Sequence, residues 1–95
     1  MVIRVKPDVG QFVVVNKKWF ETNTFFIQFL ENLKSGKVYK ILKIDVLGEE
    51  YPDEWGISSV QDIETLEIFD IRNYPELNDY WCIFDKEDEI KIVEL

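Results

Sequence analysis

Thr24-Phe25-Phe26-Ile27-Gln28-Phe29-Leu30-Glu31-Asn32-Leu33-Lys34, followed after Ser35-Gly36-Lys37 by Val38-Tyr39-Lys40-Ile41-Leu42-Lys43-Ile44-Asp45-Val46, is the stretch that decides the fold class. Wound at about 100° per residue, the first run places Phe25, Phe29, Leu33, Phe26, Leu30 and Ile27 on one arc. Thr24, Gln28, Glu31 and Asn32 fill the remainder, so the pattern predicts an amphipathic helix over Thr24 to Lys34. Thr22, Asn23 or Thr24 supplies its cap, and Gly36 stands just past its end, where a left-handed residue closes many helices. The second run is rich in β-branched and apolar residues and predicts a strong strand. The apolar arc of the Thr24 to Lys34 helix, roughly 200°, is wider than the ~100° stripe of an ordinary surface helix, so part of that helix has apolar surface to spare.

Towards the N-terminus, Val2 to Val5 and Phe12 to Val15 read as strands, separated by the turn Lys6-Pro7-Asp8-Val9-Gly10. Asn16-Lys17-Lys18 reads as a polar turn. Beyond Val46, Gly48 to Gly56 is an acidic loop holding Pro52 and Trp55. Ser58-Ser59-Val60-Gln61-Asp62 has capping-box spacing with Asp in place of Glu, which predicts the start of a short helix. Leu66 to Ile71 favours a strand, with helix as the alternative. Arg72 to Asp79 is a loop around Pro75. Tyr80 to Phe84 and Ile90 to Val93 read as strands joined through Lys86-Glu87-Asp88-Glu89 as a hairpin. The expected architecture is α+β: a mainly antiparallel sheet of about five strands, one amphipathic helix and one short helix, in a single domain over residues 1–95.

Val9-Gly10-Gln11-Phe12-Val13-Val14-Val15, Gly36-Lys37-Val38-Tyr39-Lys40-Ile41, Tyr80-Trp81-Cys82-Ile83-Phe84 and Ile90-Lys91-Ile92-Val93-Glu94 together resemble the strand signature of small SH3-like barrels. The resemblance covers about half the chain and implies a barrel as the subtype of the fold. The helix and the long acidic insertion depart from that pattern.

Seven Phe, four Tyr and three Trp supply large side chains for the core of a 95-residue chain. Charge is distributed unevenly. Residues 1–47 carry eight basic and four acidic residues, a net of +4, while residues 48–95 carry three basic and fifteen acidic, a net of −12. From Ile44 to Ile71 there is no Lys or Arg, while Asp45, Glu49, Glu50, Asp53, Glu54, Asp62, Glu64, Glu67 and Asp70 all fall there. Such one-sided charge repels itself.

The chain has no histidine and one cysteine, which excludes Ser-His-Asp and Cys-His catalysis and a cysteine zinc site. Neither a phosphate loop nor a dinucleotide fingerprint is present. Carboxylate pairs are abundant but carry no specificity, and Glu49, Glu50, Asp53 and Glu54 lack calcium-loop spacing. The expectation is a non-enzymatic protein without cofactor or metal. Cys82, within an apolar run, reads as a buried thiol of a reducing compartment, and no stretch is long enough to span a membrane, so the expected location is cytoplasmic.

Size, acidity, aromatic richness and lack of catalytic groups resemble, in kind, small phage-encoded inhibitors of host nucleases of the anti-restriction, DNA-mimic type. That resemblance implies an acidic face that masks the basic nucleic-acid-binding surface of a nuclease or other DNA-binding protein in the host cytoplasm, without direct binding to nucleic acid. The expected contact residues are Glu49, Glu50, Asp53, Glu54, Asp62, Glu64, Glu67 and Asp70, exposed on one side, with Trp55 as an aromatic anchor. The alternative is a small SH3-like interaction or structural module that works through its apolar helix. The spare apolar arc leads to the further expectation of a homodimer through that helix.

Overall fold

The computed structural model describes residues 6–51 and 53–95, so the expected strand Val2 to Val5 lies outside the described residues. The chain forms β1 (Phe12–Val15), α1 (Lys17–Thr22), α2 (Thr24–Ile27), β2 (Val38–Val46), β3 (Trp55–Asp62), β4 (Ile68–Asp70) and β5 (Ile90–Val93). Short 3-10 turns occupy Ile71–Asn73, Pro75–Leu77 and Glu87–Glu89. The five strands make one antiparallel sheet in the order β4-β3-β2-β1-β5. This is the α+β class that the sequence predicts. The sheet does not close among the described residues: β4 and β5 are its two edges, so the barrel subtype is not realised.

β1 is the sheet's pivot. Val13 lies opposite Tyr39 of β2 on one side and Ile92 of β5 on the other. Opposed residues on adjacent strands share a face, and Val13, Val15, Tyr39 and Ile41 are all fully buried. β2 and β3 pair from Tyr39↔Asp62 to Val46↔Trp55, with the register slipping between Ile41 and Ile44. A slip of this kind breaks strict alternation. Ile57 and Val60, three positions apart, accordingly both join the single core cluster.

The predicted helix Thr24 to Lys34 is realised only in its first turn, as α2 (Thr24–Ile27), and continues as a string of turns, while a separate short helix, α1, precedes it. Asn23 leaves the helical region (φ −116°, ψ 48°), and its side-chain amide donates to the carbonyl of Trp19 at 3.0 Å. The break lets Trp19 and Phe26 both reach the core, their rings 6.0 Å apart. After α2, the amides of Phe29 and Leu30 both turn back to the carbonyl of Phe26, and that of Leu33 to Leu30. The predicted apolar stripe survives without the regular helix: Phe26, Leu30 and Leu33 are buried, while Ile27 and Phe29 pack half-buried against the core. Of the wide arc only Phe25 remains well exposed, beside Tyr80, so the homodimer expectation loses most of its apolar motive. Lys17 and Lys18, expected in a turn, open α1.

Two further expectations are corrected. Ser58 to Asp62 is not a helix start but the second half of β3, a strand walled in by β2 and β4. Tertiary pairing overrides the local capping pattern there. Tyr80 to Phe84 makes only an isolated bridge, Ile57↔Phe84, and forms no hairpin with β5, which pairs with β1 instead. Phe84 is spent on packing: it is fully buried, with its ring 5.2 Å from that of Trp19. Cys82 fills the space over Gly56, where any side chain would collide with the cysteine and with the Trp81 ring.

Candidate partner-binding surface

The acidic loop between β2 and β3 begins with Leu47, whose amide donates to the carbonyl of Glu54 at 2.9 Å. Inside that closure the amide of Tyr51 donates to Gly48 and that of Glu54 to Tyr51. These turns point side chains outward: Glu49, Glu50, Asp53 and Glu54 are exposed. Val46, Leu47 and Tyr51 are also well exposed in the same hairpin tip. The tip thus combines four carboxylates with an aromatic ring and two aliphatic side chains.

Trp55 does not belong to that tip. It opens β3 opposite Val46 and is only 2% exposed. Together with Pro7, Glu87, Ile90 and Ile92 it lines a cleft of about 190 Å³. The anchor expected from sequence is therefore a core residue, because β3 begins one residue before Gly56 rather than after it. Tyr51 is the aromatic side chain that the tip displays instead.

Asp62 and Asp70 are likewise corrected from surface to interior. Asp62 is 2% exposed at the end of β3. One of its oxygens accepts Lys37 Nζ at 2.7 Å, and the other accepts the amides of Glu64 at 2.8 Å and Thr65 at 3.3 Å. The lysine hydrogen bond holds its carboxyl below the usual aspartate range; burial opposes this, and the two backbone amides assist. Asp70 caps the 3-10 turn that follows β4. It accepts the Arg72 amide at 2.9 Å and the guanidinium at 3.0 and 2.8 Å, which also lowers its carboxyl. Both carboxylates accept turn amides together with a charged side chain, and so fasten turns.

Glu64 and Glu67 stay exposed in the turn between β3 and β4. Glu64 lies 3.8 Å from Lys37, and Glu67 accepts Asn32 Nδ2 at 3.3 Å. The expected acids consequently form two groups rather than one row. β3 runs from Trp55 to Asp62, so the tip and the far turn are separated by roughly 23 Å at the usual rise per strand residue.

One feature had no sequence signal. The Lys37–Asp62 pair joins positions 25 apart, and nothing local marks either one as the other's partner. A third acidic surface group, the consecutive Glu87, Asp88 and Glu89 that the sequence places in a connection, forms a 3-10 turn before β5, with Lys18 paired to Asp88 at 3.0 Å. Half-buried Glu89 has its carboxyl raised by burial and by Asp85. Burial pushes the Cys82 thiol up to about 12, with Asp85, Glu89 and Asp45 adding to the effect. A thiol held protonated in this way is a poor nucleophile. Among the described residues no three His, Cys, Asp or Glu side chains are grouped to hold a metal, and no helix is long and apolar enough to cross a membrane. Compared with protein families, curated proteins and solved structures, the chain finds no match.

Proposed function

We infer that this chain is a non-enzymatic acidic binding protein whose partner presents a basic surface, of the kind that nucleases and other DNA-binding proteins use to grip a phosphate backbone. The observation that carries the reading is the β2–β3 tip, where exposed Glu49, Glu50, Asp53 and Glu54 share one short loop with exposed Tyr51 and Leu47. No basic residue occurs between Ile44 and Ile71. Of the basic side chains near that region, Lys43 pairs with Asp45, Lys37 with Asp62 and Arg72 with Asp70. Carboxylates steer a basic partner into contact, and an exposed aromatic ring beside them supplies area that water must leave.

The test is displacement of labelled duplex DNA from a panel of purified restriction nucleases and other DNA-binding proteins. The wild-type chain displaces the duplex from at least one of them, with an effect that weakens steeply as salt rises. Glu49→Lys with Glu50→Lys cuts that displacement at least about tenfold, the equivalent of 1.4 kcal/mol. Equal displacement by the double variant refutes the reading, and so does direct retention of the chain on duplex DNA. The second reading, an apolar interaction module, is favoured by Leu47 and Tyr51; under it, salt has little effect and Tyr51→Ala is the damaging change.

A further inference from the structure

The turn between β3 and β4 is fastened at nearly every step. The amide of Leu66 donates to the carbonyl of Asp62 at 2.8 Å, and that of Asp62 to Glu67 at 2.9 Å. The Asp62 carboxylate takes the amides of Glu64 and Thr65, Thr65 Oγ1 takes that of Glu67, and Gln61 Nε2 donates to the carbonyl of Leu66. This framework forces Leu66 to a φ of 65°, the one positive value at a non-glycine position among the described residues. Glycine suits that conformation because it has no Cβ to meet the following carbonyl, and asparagine because its amide hydrogen-bonds to the local backbone; leucine has neither advantage. The chain instead carries leucine, and leaves it 66% exposed between Ile63 at 36% and Ile68 at 48%.

A strained backbone and an apolar side chain in water are both unfavourable for the isolated protein. Neither contributes to the core, from which Leu66 is absent. Strain of this kind persists where surrounding structure over-determines it, and it concentrates where a side chain has to be presented. We propose that the turn of residues 63–68 is a docking site for a protein that offers an apolar pocket rimmed by Lys or Arg, with Leu66 entering the pocket. Exposed Glu64 and Glu67 flank the leucine, and although Lys37 lies 3.8 Å from Glu64, the three carboxylates of the turn, with Asp62, outnumber that one cation and keep the sign of the rim negative. The two glutamates repel anionic lipid headgroups and nucleic acid, which selects a protein as the occupant. The hydrogen bonds hold the leucine in place before contact, so little ordering is left for the moment of binding. This site lies at the far end of β3 from the acidic tip and stands or falls independently of it.

A defined probe carries the same chemistry: β-cyclodextrin, an apolar cavity, compared with its rim-aminated and rim-carboxylated derivatives. Amide chemical-shift titration of the wild-type chain gives shifts centred on residues 63–68. The aminated ring binds about fivefold tighter than the neutral one, the range expected for two exposed charge pairs. Leu66→Asn weakens binding at the turn about tenfold or more, as loss of a buried leucine contact does. Its urea midpoint does not fall, because asparagine tolerates the backbone; Leu66→Gly repeats both results. Glu64→Gln with Glu67→Gln abolishes the preference for the aminated ring, whereas Glu49→Lys with Glu50→Lys leaves it intact. Shifts centred elsewhere, or unchanged by Leu66→Asn, overturn the proposal. So does a lowered midpoint in both Leu66 variants, which would make the side chain part of the fold. Equal shifts with vesicles of anionic lipid would overturn the protein occupant.

Discussion

Asp62→Ala is the substitution that separates fold from function in the acidic half. The side chain accepts hydrogen bonds from Lys37 Nζ at 2.7 Å, the Glu64 amide at 2.8 Å and the Thr65 amide at 3.3 Å. Hydrogen bonds to a charged acceptor contribute about 1.5–3 kcal/mol each. The two short ones count at the lower end, because the lysine and the turn amides can rehydrate, and the long one adds little. The expected loss is about 3 kcal/mol, and at roughly 2 cal/mol/K of unfolding entropy per residue it lowers Tm by about 15 °C. Urea denaturation followed by tryptophan fluorescence measures it. A loss within about 0.5 kcal/mol of wild type, the range of ordinary surface substitutions, refutes the reasoning. Asp62→Asn adds the pH axis. The carboxylate's folded pKa is depressed, chiefly by the lysine hydrogen bond, so its contribution is fully present above the ordinary aspartate range. That contribution is lost as pH falls through the folded value. The gap between wild type and Asp62→Asn is therefore largest near neutrality and shrinks on acidification.

Gly56→Ala introduces a Cβ 2.6 Å from the Cys82 Cβ and 2.8 Å from the Trp81 ring, so overpacking costs about 2 kcal/mol. Gly48→Ala, with nothing within 4 Å, changes the urea midpoint little. The Cys82 thiol, pushed up to about 12, reacts with a thiol reagent at pH 8 only after denaturant is added; stoichiometric labelling of the native chain would contradict its burial. Glu49→Lys with Glu50→Lys leaves thermal stability unchanged or slightly improved, since it relieves repulsion at an exposed tip; a drop of more than a few degrees would mean that the loop is part of the fold.

Short-range features were legible because they rest on local chemistry. β2 is written in a run of β-branched and apolar residues, β1 likewise, and the turn before β2 holds Gly36 at a φ of 82°. The stripe Phe26, Leu30 and Leu33 was legible as a buried face, although the helix was not: it stops at Ile27, and the turns that follow it bury Leu30 and Leu33 instead. Pairing was illegible too. Phe84 and β5 have equal strand character, yet Phe84 is drawn to Trp19 and Ile57, and β5 to β1. At the candidate surface, the acidic tip was legible from the missing lysines. The burial of Asp62 was not, since its cation comes from a distant turn. Arg72, two residues from Asp70, was in plain view as a partner, but only the path of the chain after β4 brings the guanidinium onto the carboxylate.

The charge asymmetry then resolves into two kinds of acid with opposite consequences. Asp62 and Asp70 consume donors that the fold would otherwise leave idle: turn amides, a lysine and a guanidinium. Their charge is largely cancelled where it sits and projects little field. Glu49 and Glu50 stand at an exposed tip, where their charge faces water. A field that steers a partner comes from the second kind alone. A charge-reversal set that mixes the two, such as Glu64, Glu67 and Asp70 together, would lose binding through damage to the 3-10 turn and mimic a functional result. Confined to Glu49 and Glu50, the reversal changes the net charge by four units and leaves every hydrogen bond described for the sheet and its turns in place. Loss of binding in that variant, with the melting curve unmoved, assigns the acidic surface its function; binding retained assigns it to solubility.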